Sequence, residues 1–196
     1  MKKARNKRPH DGNRREGLLR VCARLFREQG FDGTSIRDIS QAAGMQSGSP
    51  FYHFKTKQEM LVAVMEQGLT EGLRHLEAVA ALKLPPAEKF RQLVRAHLAT
   101  LCEDGHDFIP VMLYNWRSLT PANRRRVIAL KDRYDALWQR MTEELQSAGL
   151  MQGDAQLARL FTFGVLNWTA RWYRAGGRKS LDEIAEEAAR FLLRRP

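Results

Sequence analysis

The chain has 196 residues, 33 Lys/Arg against 22 Asp/Glu, and a formal net charge of +11. Its 43% hydrophobic and 28% charged content excludes global disorder, no apolar run approaches the ~20 residues that cross a bilayer, and two cysteines are too few for a disulfide framework or an all-thiolate zinc site. No apolar signal core follows the basic N-terminus, so a cytoplasmic protein with a polyanionic partner is expected, nucleic acid before an anionic membrane.

Residues 1–60 hold thirteen Lys/Arg against six Asp/Glu, most of the imbalance in less than a third of the chain. Residues 1–12 are polar, aperiodic and basic, and read as a flexible arm able to follow phosphates. After the arm, apolar residues recur at three- and four-residue spacing with no strand-like alternation, so an all-α fold is expected. A first helix is predicted over 14–29, with Asn13 and Glu16 as its capping pair and Gly30 ending it. A short helix over 35–43 follows, with Thr34 as N-cap and Gly44 as its stop. A third covers 47–54, and a long one runs from 56 to 82. Pro85-Pro86 opens the next, which carries Phe90, Leu93, Val94, His97, Leu98 and Leu101 and ends at Asp104-Gly105. Helices over 108–119, 122–148 and 155–175 follow. Ser180 and Glu183 form a capping box for the last, over 181–193. The count is nine helices. The domains read as the arm, a DNA-binding domain over 13–58, and a ligand-binding and dimerisation domain over 59–196.

Two short helices joined at Gly44 have the layout of a helix-turn-helix, in which the second helix presents its N-terminal half to the major groove. The stretch FDGTSIRDISQAAGMQSGSPFYHFKTKQEML (31–61) closely resembles the N-terminal domain of the TetR family of bacterial repressors. The resemblance rests on Thr34-Ser35-Ile36, Asp38-Ile39, Ala42-Ala43-Gly44, Gly48-Ser49, Phe51-Tyr52-His53-Phe54 and Lys57-Gln58-Glu59. It implies a nine-helix fold with an N-terminal helix-turn-helix and a C-terminal ligand-binding bundle. Ile36, Ile39, Ala43, Phe51 and Phe54 are the residues expected to wedge the three helices together. Gln46, Ser47 and Ser49 are short polar groups placed to reach base edges. Tyr52 and His53 match the family's phosphate-contacting pair. Thr34, Ser35 and Lys57 sit at helix N-termini, where N–H groups and the helix dipole favour phosphate. Pro50 departs from the family pattern but falls within the first turn, where an N–H has no helical partner anyway.

All four Trp lie beyond residue 110, and such aromatics fill a core or line an apolar cavity. Since the resembling family binds an effector in this bundle, the candidate ligand-binding residues are Phe108, Met112, Trp116, Tyr134, Trp138, Met141 and Trp168. Asn167 and Arg171 are candidate polar anchors. The segment from Asn167 to Leu193, with Asn167-Trp168-Thr169, Trp172-Tyr173, Gly177 and Glu183-Ile184-Ala185, resembles a TetR subgroup regulating fatty-acid and steroid catabolism. That subgroup often binds acyl-CoA thioesters. Leu157, Leu160, Phe161, Gly164, Trp168, Ile184, Ala188 and Phe191 supply an apolar surplus through which the last two helices are expected to form a homodimer.

His97, Cys102 and His106 have metal-ligand chemistry, but spacings of five and four do not put all three on one helical face, so no metal or cofactor is expected. There is no H-E-x-x-H, G-x-S-x-G or phosphate-loop pattern, so an enzyme is not expected. No basic amphipathic anchor stands apart from the helix-turn-helix, so no membrane partner is expected. The leading expectation is a dimeric repressor of a near-palindromic operator on double-stranded DNA, released by an apolar or acyl-CoA-type small molecule. The alternative is a helical lipid or acyl carrier without specific DNA binding.

Overall fold

The computed structural model describes residues 9–46, 48–103 and 107–194, with the backbone alone for 9–13. Among the described residues there are eight α-helices, two single 3₁₀ turns and no strand. The helices are α1 (Pro9–Gly33), α2 (Ile36–Ala42), α3 (Lys57–Ala80), α4 (Pro86–Cys102), α5 (Phe108–Asn115), α6 (Pro121–Ser147), α7 (Ala155–Trp172) and α8 (Leu181–Leu192). The expected all-α class is observed, with one helix fewer.

Two boundaries differ from the sequence reading at the N-terminus. Helix α1 already begins at Pro9, so the described end of the arm is helical and Asn13 is not an N-cap. Proline suits that first position, since its missing N–H would have had no helical partner. Residues 1–8, the rest of the expected arm, lie outside the described residues, as do Asp104-Gly105 and His106. At the other end, α1 is interrupted at Gly30, whose φ of +76° is open to glycine and strained for other residues.

The N-terminal unit packs α1, α2 and the first turns of α3 around Leu18, Leu19, Cys22, Phe26, Ile39, Phe54, Met60 and Leu61, all buried. The α1 residues among them recur at one, three and four positions, as a core-facing helical stripe requires. Ile36 and Ala43 are half-buried, and Phe51, expected in this wedge, is 48% exposed.

The third helix of the sequence reading is a single 3₁₀ turn, Ser49–Tyr52. Gly48 sits at φ +93°, outside helical geometry, so a helix starting at Ser47 cannot continue through it. Pro50 has no N–H to offer, and the segment closes by three-residue bonds, Phe51 N–H to Gly48 O and His53 N–H to Pro50 O.

Helix α3 joins the two halves, a rod roughly 36 Å long that starts beside the helix-turn-helix and ends in the bundle. Gly68 and Gly72 on α3 let α5 and α6 approach closely. A Cβ at Gly68 would lie 2.6 Å from the Phe108 Cβ, and one at Gly72 3.0 Å from the Tyr134 ring. The bundle packs α3 on α4 and α6, α4 on α7 and α8, and α6 on α7. Its core holds Phe90, Leu93, Val94, Leu98, Leu137, Trp138 and Met141. The expected Ser180–Glu183 capping box opens α8. Helix α7 ends at Trp172, three residues short of the expectation.

Three polar side chains, Asn115, Gln58 and Arg27, help tie the N-terminal unit to the bundle. The Gly30 break deprives the Phe31 N–H of a helical acceptor, and the Asn115 Oδ1 of α5 accepts it at 2.8 Å. Asn115 Nδ2 donates to Phe26 O and Val111 O at 3.3 Å each, and the residue is 5% exposed. Gln58 donates to Ser118 O at 2.7 Å and accepts from Asn123 Nδ2 at 3.1 Å. Arg27 pairs with Asp107 at 2.5 Å.

Candidate nucleic-acid interface and ligand cavity

The segment from α2 through the 3₁₀ turn carries the expected polar groups. Gln46 is exposed, Ser49 and His53 are half-buried, and Tyr52 is 90% exposed. Ser47 lies outside the described residues. Ser35, not Thr34, is the N-cap of α2: its hydroxyl accepts the Asp38 N–H at 3.1 Å, and Asp38 Oδ2 accepts the Ser35 N–H at 2.8 Å. The hydrogen bonds from Ser35 hold the Asp38 carboxyl below its ordinary range, so this helix start already carries a carboxylate.

Two expected phosphate contacts turn inward instead. Thr34 is 1% exposed and its hydroxyl donates to Gly30 O at 2.8 Å, closing the α1 break. Lys57 Nζ donates to Phe31 O and Thr34 O, both at 2.8 Å, and lies 4.2 Å from the centre of the Phe31 ring. Both side chains secure the loop between α1 and α2, a role that spacing along one helix could not reveal. Two further cations of this unit are exposed and carried no motif signal: Arg37 in the first turn of α2, and Lys55 three residues after Tyr52. Arg15 of α1, whose guanidinium lies 4.8 Å over the Phe54 ring, adds a third on the neighbouring helix.

The bundle holds a cavity of about 220 Å³ with an apolar wall of Leu69, Ile109, Met112, Leu113 and Phe163. Its polar end is a buried chain. Tyr134 Oη lies 2.7 Å from His97 Nδ1, and His97 Nε2 lies 3.0 Å from Asn167 Oδ1. An amide oxygen only accepts, so Nε2 carries the proton and Nδ1 accepts from the Tyr134 hydroxyl. Burial pushes the His97 imidazole down to about 4 and raises the Tyr134 phenol, so both groups are neutral at neutral pH. The Phe163 ring stacks on His97 with centroids 5.8 Å apart. Elsewhere in the wall, Asp135 pairs with Lys131 at 2.5 Å and with Arg159 at 3.3 Å. The site therefore offers an apolar volume, hydrogen-bonding groups at one end and a charged cluster in its wall, the usual composition of a small-molecule pocket.

Of the expected lining residues, Met112, Tyr134 and Asn167 border this cavity. Phe108 does not: it is wedged against Gly68 of α3. Trp138 and Met141 are buried core one and two turns beyond Tyr134 on the same face of α6, with Trp138 packed edge-on against Phe90. Trp116 lies under the Arg124 guanidinium. Trp168 and Arg171 are exposed, at 65% for Trp168. Helical spacing puts core and cavity aromatics on the same stripe, so it could not separate them. His97, the polar centre missed as a ligand group, carried one signal: a histidine among Phe90, Leu93, Val94 and Leu98 on the inward face of α4.

On α7, Leu157, Leu160, Phe161, Trp168 and Trp172 are each 48–66% exposed, and Phe191 of α8 is 79% exposed. No helix among the described residues is long and apolar enough to cross a membrane.

An N-terminal unit of α1, α2 and a 3₁₀ turn that exposes polar and basic residues, set on a helical bundle with its own cavity, has the layout of a DNA-binding transcriptional regulator. Residues 18–64 match the family profile "Bacterial regulatory proteins, tetR family", and residues 83–195 match "Tetracyclin repressor-like, C-terminal domain". The chain belongs to the TetR family. It is 27% identical over 183 residues to the HTH-type transcriptional repressor KstR2 of Rhodococcus jostii strain RHA1, covering 92% of this chain and 89% of that protein. Among solved structures, the superantigen PfiT is 37% identical with a TM-score of 0.75, covering 93% of this chain and 97% of PfiT. AibR, solved in complex with isovaleryl coenzyme A and operator DNA, shares the fold at a TM-score of 0.84 and 23% identity, covering 91% of this chain and 97% of AibR.

Proposed function

We propose that this protein is a repressor that binds a near-palindromic operator as a homodimer through α7 and α8, and is released by an apolar or acyl-CoA-type effector. The observation that carries the reading is the cavity's position. Its wall includes Leu69 of α3 and Met112 of α5. Helix α3 begins beside the helix-turn-helix, and α5 ends at the Asn115 contact to Phe31. A ligand filling the cavity therefore presses on both elements that hold the DNA-binding unit, and it shifts the equilibrium toward whichever arrangement admits it.

In this reading Gln46, Ser47 and Ser49 meet base edges, while Tyr52 and His53, with Arg37 and Lys55, meet phosphates, and Ser35 holds the start of α2 that carries Arg37. The apolar face of α7 and Phe191 is too large a surplus for a lone soluble bundle and supports pairing of two copies. KstR2 is named a repressor, and AibR holds an acyl-CoA and operator DNA in its complex, with the likeness to AibR one of fold. The exposed Gln46 and Tyr52, in a unit that also exposes Arg37 and Lys55, favour DNA as the partner over the activity named for PfiT. Gel shifts with the DNA upstream of the protein's own gene test the reading. Salt-sensitive, sequence-preferring binding that is lost on adding an acyl-CoA supports it. Ligand binding without any DNA preference supports the carrier reading instead.

A further inference from the structure

A second concavity, of about 720 Å³, opens between α1 and the C-terminal ends of α4 and α7. Four guanidinium groups line it: Arg24 and Arg27 of α1, Arg171 in the last turn of α7, and Arg174 just beyond. Its three carboxylates are already engaged. Asp107 pairs with Arg27 at 2.5 Å, Glu28 with Arg24 at 3.6 Å, and Glu103 with Arg95, outside the groove, at 2.8 Å. Arg171 and Arg174 have no carboxylate partner among the described residues. The Arg171 guanidinium lies 5.7 Å from the centre of the Tyr114 ring, and Arg174 donates to Tyr173 O at 2.8 Å. Two guanidinium groups with no carboxylate partner among the described residues therefore line this groove.

The groove and the cavity are related through residues that wall a third hollow. Between them runs a shallow slot of about 270 Å³ that shares Leu113, Phe163 and Asn167 with the cavity and Tyr114 with the groove. Its outer edge is Gly164 and Trp168, on the α7 face offered for dimerisation. A small apolar chamber, an aromatic-edged slot and an arginine groove thus follow one another along α5 and α7.

We propose that this track holds a coenzyme A thioester end to end: the acyl group in the cavity, the pantetheine arm in the slot, and the phosphates in the groove on Arg171 and Arg174. The assignment rests on the acyl-CoA reading above and adds a site to it. Guanidinium forks suit phosphate oxygens, and 720 Å³ lies within the ~300–1,000 Å³ of ligand clefts while the 220 Å³ chamber alone falls below it. Two consequences follow. The small chamber selects short acyl groups, and affinity comes from the phosphate end. Arg24 and Arg27 also bring the phosphates against α1, so the nucleotide end of the ligand acts directly on a helix of the DNA-binding unit, in competition with the Arg27–Asp107 pair.

The test is calorimetric titration of the full chain and its R171A/R174A variant with C4 to C8 acyl-CoA thioesters and with the matching acyl-pantetheines, which lack the nucleotide. Arg171 and Arg174 are exposed, so the variant keeps its fold, checked by its melting temperature. The expected result is an affinity for acyl-CoA about tenfold or more lower in the variant, with acyl-pantetheine binding unchanged, as lost charge-assisted contacts require. Equal acyl-CoA binding by the two proteins overturns the groove assignment and leaves the effector class standing. Absence of acyl-CoA binding by the unaltered chain overturns the effector class and the groove with it.

Discussion

Replacing His97 with glutamine isolates the electrostatic cost of the cavity's polar end. The imidazole is 2% exposed and its neutral form is held between the Tyr134 hydroxyl and Asn167 Oδ1. Its ionisation sits at about 4, against 6.5 in an unfolded chain. Between those values the unfolded state takes up a proton that the folded state refuses, so this group's contribution is full above 6.5, falls as pH drops toward 4, and changes no further below it. The gap corresponds to about 3 kcal/mol in total, of which about 2 kcal/mol is lost between pH 7 and 4.5. Glutamine can donate to Asn167 and accept from Tyr134 but does not titrate. Urea unfolding of both proteins at stepped pH reads the difference directly. The unaltered chain should lose about 2 kcal/mol more than the variant on going from pH 7 to 4.5. Parallel curves, or an imidazole resonance titrating near 6.5, would refute the buried neutral histidine.

Asn115→Ala strands the Phe31 N–H at the α1 break; at about 1–3 kcal/mol per buried unpaired group, chemical denaturation should show a loss of about 2 kcal/mol or more. Gly68→Ala drives a methyl into the Phe108 Cβ and backbone, so calorimetric melting should show net destabilisation of about 1–2 kcal/mol despite alanine's better helix propensity. Phe161→Glu places a charge on the exposed α7 face; light scattering should find monomers where the unaltered chain gives dimers, with the melting of each protomer little changed. Tyr52→Ala should weaken binding to all DNA sequences alike by about tenfold in anisotropy titrations, whereas Gln46→Ala should alter base preference.

Local signals carried much of this fold. The N-terminal stripe, the Gly44 turn, the Ser180–Glu183 box and the proline start of α4 are read from close neighbours in the chain, and all are present. What failed depended on backbone angles or on distant partners. Gly48 at positive φ shortened the third helix to one turn. Lys57 serves carbonyls 23 and 26 residues away, and Asn115 serves one 89 residues away, neither visible as a pattern. The cavity was legible as a place, since Met112, Tyr134 and Asn167 border it, but not as a surface. Trp138 and Tyr134 lie one turn apart on α6, and only the packing of Phe90 decides that one is core and the other wall.

Footprinting the upstream DNA with and without acyl-CoA bears most directly on a ligand-gated helix-turn-helix regulator. A two-fold dimer should protect two half-sites with centres about 10–10.5 base pairs apart, or a multiple of that, and the protection should disappear at ligand concentrations that saturate the protein. Protection without sequence preference, or a footprint unchanged by every acyl-CoA that the protein binds, would contradict it.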